Sequence, residues 1–148
     1  VDLNKIVDNC VADLNHKIDA TSAKITKTDL PVINGYTLPL QLLFQNIISN
    51  ALKFTKLNVP PEIHVCSYDK GEFWEIQISD NGIGIADKHK KRVFAIFQRL
   101  HLNSEYEGTG IGLAHCQRII EMHKGEISIE SEINQGSTFI FTIKKQLP

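Results

Sequence analysis

Two spacings alternate along the chain. Apolar residues at Leu3, Ile6, Val7, Val11, Leu14 and Ile18 recur at helical intervals and predict a helix from Val1 to about Ala20 with one buried face. A short strand is expected over Ser22–Lys27, followed by a turn-rich stretch from Asp29 to Gly35. Leu38 to about Thr55, dense in Leu, Ile and Phe, predicts the strongest helix, and the prolines of Asn58-Val-Pro-Pro61 close that region. The period then shortens to two. Glu62–Tyr68 and Phe73–Asp80 read as strands joined by a hairpin turn at Asp69-Lys-Gly71. Beyond the bend Asp80-Asn-Gly-Ile-Gly84 come a basic stretch, Asp87–Arg92, the apolar Val93-Phe-Ala-Ile-Phe97, and a polar loop from Gln98 to Glu107. Thr109–His123 predicts a helix with Lys124 near its end and Gly125 as its cap. Glu126–Ser131 and Ser137–Lys144 alternate as two last strands around a turn at Asn134-Gln-Gly136. The sum is an α+β fold: a two-layer sandwich in which helices cover one face of a mixed, mainly antiparallel sheet.

Size and composition narrow this little. With 148 residues, 42% of them hydrophobic and 22% charged, one globular domain spanning residues 1–148 is expected. A net charge of −1 gives no bulk attraction to nucleic acid or to a membrane surface, and no apolar run reaches a membrane span. Cys10, Cys66 and Cys116 stand far apart, without Cys-x-x-Cys spacing. That suits ordinary thiols in a reducing compartment, hence a cytoplasmic location.

Four places break the pattern. Asn46, Asn50 and Lys53 form one polar stripe on the strongest helix, at i, i+4 and i+7. A solvated face would account for a charge, but two asparagines are poor helix formers; amide oxygens suit magnesium, and an ammonium suits phosphate. Asp80 continues the inward stripe of Trp74, Ile76 and Ile78, where a carboxylate needs donors, although Asp-Asn-Gly is also good turn chemistry. Gly108-Thr-Gly-Ile-Gly112 opens a helix, as a phosphate-binding loop would, yet lacks the Lys-Ser/Thr of a P-loop and the glycine a dinucleotide loop needs at Leu113. Finally, Phe94 and Phe97 precede Arg99 at the edge of the polar loop. Such phenylalanines usually build core; the arginine is placed to reach a phosphate.

In order and spacing, these elements resemble the sequence boxes of sensor histidine kinases, over essentially the whole chain. Leu42–Thr55 resembles the N box, Asp80-Asn-Gly-Ile-Gly84-Ile the G1 box, and Val93-Phe-Ala-Ile-Phe97-Gln-Arg99 the F box. Gly108-Thr-Gly-Ile-Gly112-Leu113 resembles the G2 box, and Gly136-Ser-Thr138-Phe the terminal Gly-x-Thr element. The resemblance implies the Bergerat-type ATP-binding sandwich shared with DNA gyrase, mismatch-repair ATPases and a heat-shock chaperone. It implies that Asn50 holds Mg2+, that Lys53 and Arg99 contact phosphate, and that Asp80 accepts from the adenine amino group, helped through water by Thr138. Gly82 and Gly84 would shape the adenine pocket; Gly108, Gly110 and Gly112 would wrap the phosphates; Phe97, Thr109 and Leu113 would complete the nucleotide-binding set under a lid at 98–107.

The gyrase-like relatives activate water with a glutamate where this chain has Asn46, and an amide has no basic lone pair near neutral pH. The expected chemistry is therefore transfer of the ATP γ-phosphate to a histidine, with Asn46, Lys53 and Arg99 as the catalytic set and a response regulator downstream. A slow gyrase-type ATPase and a catalytically silent ATP-binding module are the alternatives. None of the six histidines (His16, His64, His89, His101, His115 and His123) is followed by an acidic residue, as the family's phosphoacceptor is. The acceptor would belong to a separate helical dimerisation domain, and this piece is expected to be a monomer that does not phosphorylate itself. His101 is the histidine expected nearest a ligand; the other five read as structural.

Overall fold

A computed structural model describes residues 1–84, 109–132 and 135–146, with backbone alone at 109–114 and 132. Helices α1 (Leu3–Asp13) and α2 (Asn15–Thr21) lead into strand β1 (Lys24–Lys27), and helix α3 (Thr37–Lys53) into β2 (Glu62–Lys70) and β3 (Phe73–Asp80). Helix α4 (Thr109–Met122) precedes β4 (Ile127–Glu132) and β5 (Gly136–Lys144). The five strands form one sheet in the order β1-β2-β3-β5-β4, parallel between β1 and β2 and antiparallel elsewhere. Helices α1, α3 and α4 pack side by side, α3 in the middle, which gives the expected α+β sandwich.

The core lies between the layers. Across the sheet, Val65, Ile78, Phe139 and Ile129 stand in register as one inward row. Against such rows α3 lays Leu40, Leu43, Phe44, Ile47 and Ile48, all fully buried, and Phe44 meets Phe141 edge to face at 5.6 Å. The apolar stripe around the N-box amides is thus what fixes α3 to the sheet.

Several boundaries differ from the sequence reading. Strand β2 runs on to Lys70, which pairs with Phe73, so the hairpin turn is Gly71-Glu72 rather than Asp69-Lys-Gly71, and α3 ends at Lys53 rather than Thr55. The first helix breaks at Leu14 (φ −97, ψ 11), which keeps Leu14 buried, while α2 has no buried residue and lays only Ile18 partly against the core. Strand β1 starts two residues later than expected, because Ser22 takes a left-handed conformation (φ 56) to end α2. At the end of α4 it is Lys124, not Gly125, that adopts the left-handed cap (φ 61). The N–H groups of Lys124 and Gly125 return to the carbonyls of Glu121 and Ile120, a Schellman closure with Lys124 in the left-handed position. Gly125 is glycine for room instead: a Cβ there would lie 1.7 Å from the Thr142 carbonyl oxygen.

Candidate functional site

Beside the inward row of Val65, Ile78, Phe139 and Ile129 runs the row Ile63, Asp80, Ser137 and Ser131, where the sheet's buried face turns polar. Asp80 is therefore on the core side of β3, as the alternation predicts. It is half-buried, and burial pushes its carboxyl above the usual carboxylate range against the pull of two backbone donors. Those donors are the N–H groups of Gly82 (2.9 Å) and Ser137 (3.3 Å), and both reach Oδ1. The Gly82 bond is an Asx turn, so the turn chemistry and the buried carboxylate are one feature. Oδ2 accepts no hydrogen bond among the described residues.

Two glycines close the chain around Asp80. A Cβ on Gly82 would stand 2.2 Å from the Phe54 carbonyl oxygen, and one on Gly136 (φ +88) would stand 2.1 Å from the Asp80 carbonyl oxygen. Phe54 is the C-cap of α3, one turn beyond Asn50, and its carbonyl accepts the N–H of Ile83 at 3.1 Å. The bend 80–84 thus supplies a donor that the carboxyl end of α3 lacks within itself. Gly84 has φ +77, a conformation that side chains resist. Asp80, Gly82 and Gly84 are held together at the end of the N-box helix by these contacts.

Along α3, Asn46 and Asn50 are half-buried and Lys53 is exposed. The thiol of Cys116 on α4, which burial pushes up to about 12, donates to the Leu43 carbonyl of α3 at 3.9 Å, with the Asn46 side chain beside it. Cys116 therefore bridges the two helices. Lys53 is the last residue of α3, where a cation also suits the negative end of the helix dipole.

The glycine box does open a helix: α4 begins at Thr109 and its first turns carry Gly110, Gly112 and Leu113. Gly108, Phe97, Arg99, His101, the basic stretch 87–92 and the lid 98–107 lie outside the described residues. The register separates Thr138 from Asp80. Thr138 pairs with Ser79, to whose Oγ it donates at 3.1 Å on the outward face, while the residue across from Asp80 is Ser137. Ser137 is buried and its Oγ lies 2.7 Å from that of Ser131, which donates to the Gly136 carbonyl at 2.9 Å. Ser137 was discoverable from the sequence, because counting back by two from Ile143, Phe141 and Phe139 reaches it. Nothing in the sequence pointed to the Phe54 carbonyl.

Comparison with known proteins gives the family and the fold. Residues 35–147 match the family described as histidine kinase-, DNA gyrase B- and HSP90-like ATPase. Cyanobacterial phytochrome A of Nostoc sp. is 43% identical over 142 residues, covering 96% of this chain and 18% of that protein. Sensor histidine kinase RcsC of Salmonella typhimurium is 38% identical over 119 residues, covering 78% of this chain and 12% of that protein. This chain therefore spans under a fifth of the length of those two relatives. Among solved structures, the catalytic domain of histidine kinase ThkA superposes with a TM-score of 0.82 at 25% identity, covering 98% of this chain and 93% of that one. By that family match, those relatives and that fold, the chain belongs to the histidine kinase-, gyrase B- and HSP90-like ATPases and is a sensor histidine kinase ATP-binding domain.

Proposed function

We propose that this domain binds Mg-ATP and donates its γ-phosphate to a histidine on a separate helical domain, as the donor half of a two-component signalling kinase. The observation that carries the reading is the Asp80 carboxylate: backbone donors occupy Oδ1, and Oδ2 accepts nothing among the described residues. A buried acceptor of that kind fits an exocyclic amine and disfavours a carbonyl, which selects adenine over guanine. In this reading the hydroxyl beside the base belongs to Ser137 rather than Thr138, because Ser137 shares the face of Asp80.

The phosphates would lie toward the start of α4, whose backbone N–H groups and helix dipole favour an anion. Lys53 and Arg99 would neutralise the oxygens, with Gly108, Gly110 and Gly112 allowing close approach. Asn50 would supply an amide oxygen to magnesium, which when bound offsets charge on the β- and γ-phosphates. A magnesium ion takes most of its ligands from phosphate and water. Asn46 has no basic lone pair to activate water, which favours transfer to an incoming nucleophile over hydrolysis.

The test is to mix this domain with a separately made histidine-bearing helical domain and γ-labelled ATP. Label on the added domain is the expected result. Phosphate released only to water would replace the kinase with a slow ATPase, and tight binding with neither product would leave an ATP-binding module.

A further inference from the structure

His123 is fully buried, and both of its ring nitrogens are used. Nδ1 lies 2.7 Å from the carbonyl oxygen of Ile119 on its own helix, so it must donate there. Nε2 accepts the backbone N–H of Tyr36 at 3.1 Å. Together the two bonds use one form of the ring, the neutral imidazole with its proton on Nδ1. His123 closes the carboxyl end of α4, whereas Tyr36 is the residue that caps the start of α3. A helix start commonly takes a side-chain oxygen from the cap residue and a returning carboxylate from the third helical position. Here the cap is a tyrosine that makes no side-chain bond, and the third position is Pro39. The imidazole of a different helix accepts in place of that returning carboxylate. The joint is tight: the Tyr36 ring meets the imidazole edge-on at 5.4 Å, and a Cβ on Gly35 would lie 3.0 Å from Nε2. The carbonyl of His123 also accepts the N–H of Lys144, which ties the same residue to the end of β5.

We infer that His123 is a positioning residue that fixes the spacing of α3 and α4, and so of the N-box amides relative to the glycine box around the nucleotide. This rests on the nucleotide site proposed above. Cys116 on α4 and the Leu43 carbonyl of α3 join the two helices near their middles; His123 and Tyr36 join them at their far ends. The pair of contacts along the interface resists rotation, which one contact alone would allow.

The experiment is NMR of this domain with and without Mg-ATP. The wild-type imidazole nitrogen shifts should report the neutral Nδ1–H form; an Nε2–H form would overturn the inference even if no variant folds. His123→Leu should speed exchange of the Tyr36 amide about tenfold, as loss of one net hydrogen bond predicts, and weaken ATP binding by a similar factor. His123→Gln, whose side-chain oxygen reaches the Nε2 position, should restore most of both. Unchanged Tyr36 protection in His123→Leu would refute the joint. Altered protection with wild-type affinity would refute the positioning role. Wild-type protein with a protected Tyr36 amide but no ATP binding would instead sink the nucleotide reading and leave the joint standing.

Discussion

Asp80 and Ser137 face each other across the β3–β5 pair, and the Ser137 N–H donates to Asp80 Oδ1 at 3.3 Å. That bond and the one from Gly82 orient the carboxylate so that a single oxygen remains for a ligand. Asp80→Asn keeps an oxygen for both backbone donors and puts an NH2 donor where the adenine amine would come. ATP affinity should fall by about tenfold to a hundredfold, one buried acceptor's worth, in isothermal titration. Retained affinity would refute the adenine assignment.

The same substitution predicts a stability effect of opposite sign. Burial holds the Asp80 carboxyl above its ordinary range. The folded state then binds more protons than the unfolded one between the ordinary value and the raised value, so stability falls as pH rises through that window. At neutral pH the ionised group costs stability. Asp80→Asn should therefore melt at the same temperature as wild type or higher at pH 7, and should lose the acid-side gain. A variant markedly less stable at pH 7 would show that the carboxylate is there for the fold.

Gly82 and Gly71 separate room from backbone conformation. Gly71 has φ +79 with nothing within 4 Å of a built Cβ, so Gly71→Ala should cost about 1 kcal/mol and leave ATP binding alone. A Cβ on Gly82 meets the Phe54 carbonyl, and Gly82→Ala must push the bend off the end of α3. A loss of about 1–3 kcal/mol in urea unfolding, with weakened ATP binding, is expected. Equal effects from the two substitutions would mean that the Gly82–Phe54 contact does not shape the site.

These contacts mark where sequence reasoning reached and where it stopped. Periodicity placed Asp80 inward and set Asn46, Asn50 and Lys53 on one helix stripe, because both inferences need only local geometry. The β1–β2 pairing is parallel and joins segments separated by all of α3, and no spacing in either strand announces it. The approach of Phe54 to Gly82, and of His123 to Tyr36, likewise depends on how elements dock. The sequence marks the second only as one histidine among six. Gly125 was misread because its need for room against Thr142 looks, in sequence, like a helix cap.

Asn50 lies one turn before Phe54, whose carbonyl holds the glycine bend. Asn50→Ala removes an amide oxygen without touching that contact. ATP binding measured with magnesium should fall toward the value measured with a chelator, while the chelator value itself stays put. A variant with the wild-type magnesium response would free Asn50 from any metal role.

Ser137 and Thr138 are adjacent in sequence and on opposite faces of the sheet, so the two can be tested against each other. With the Ser131 proton on the Gly136 carbonyl, the Ser137 hydroxyl donates to Ser131 and keeps its acceptor capacity on the face it shares with Asp80. Thr138 spends its own proton on Ser79. Ser137→Ala should lower ATP affinity about fivefold, the worth of one hydrogen bond near 1 kcal/mol, and reduce stability by a similar amount. Thr138→Val breaks a half-exposed bond on the outward face, costs under about 1 kcal/mol, and should leave affinity within about twofold. If titration instead gave the larger affinity loss to Thr138→Val, the register-based assignment would fail and the water-mediated role would return to the threonine.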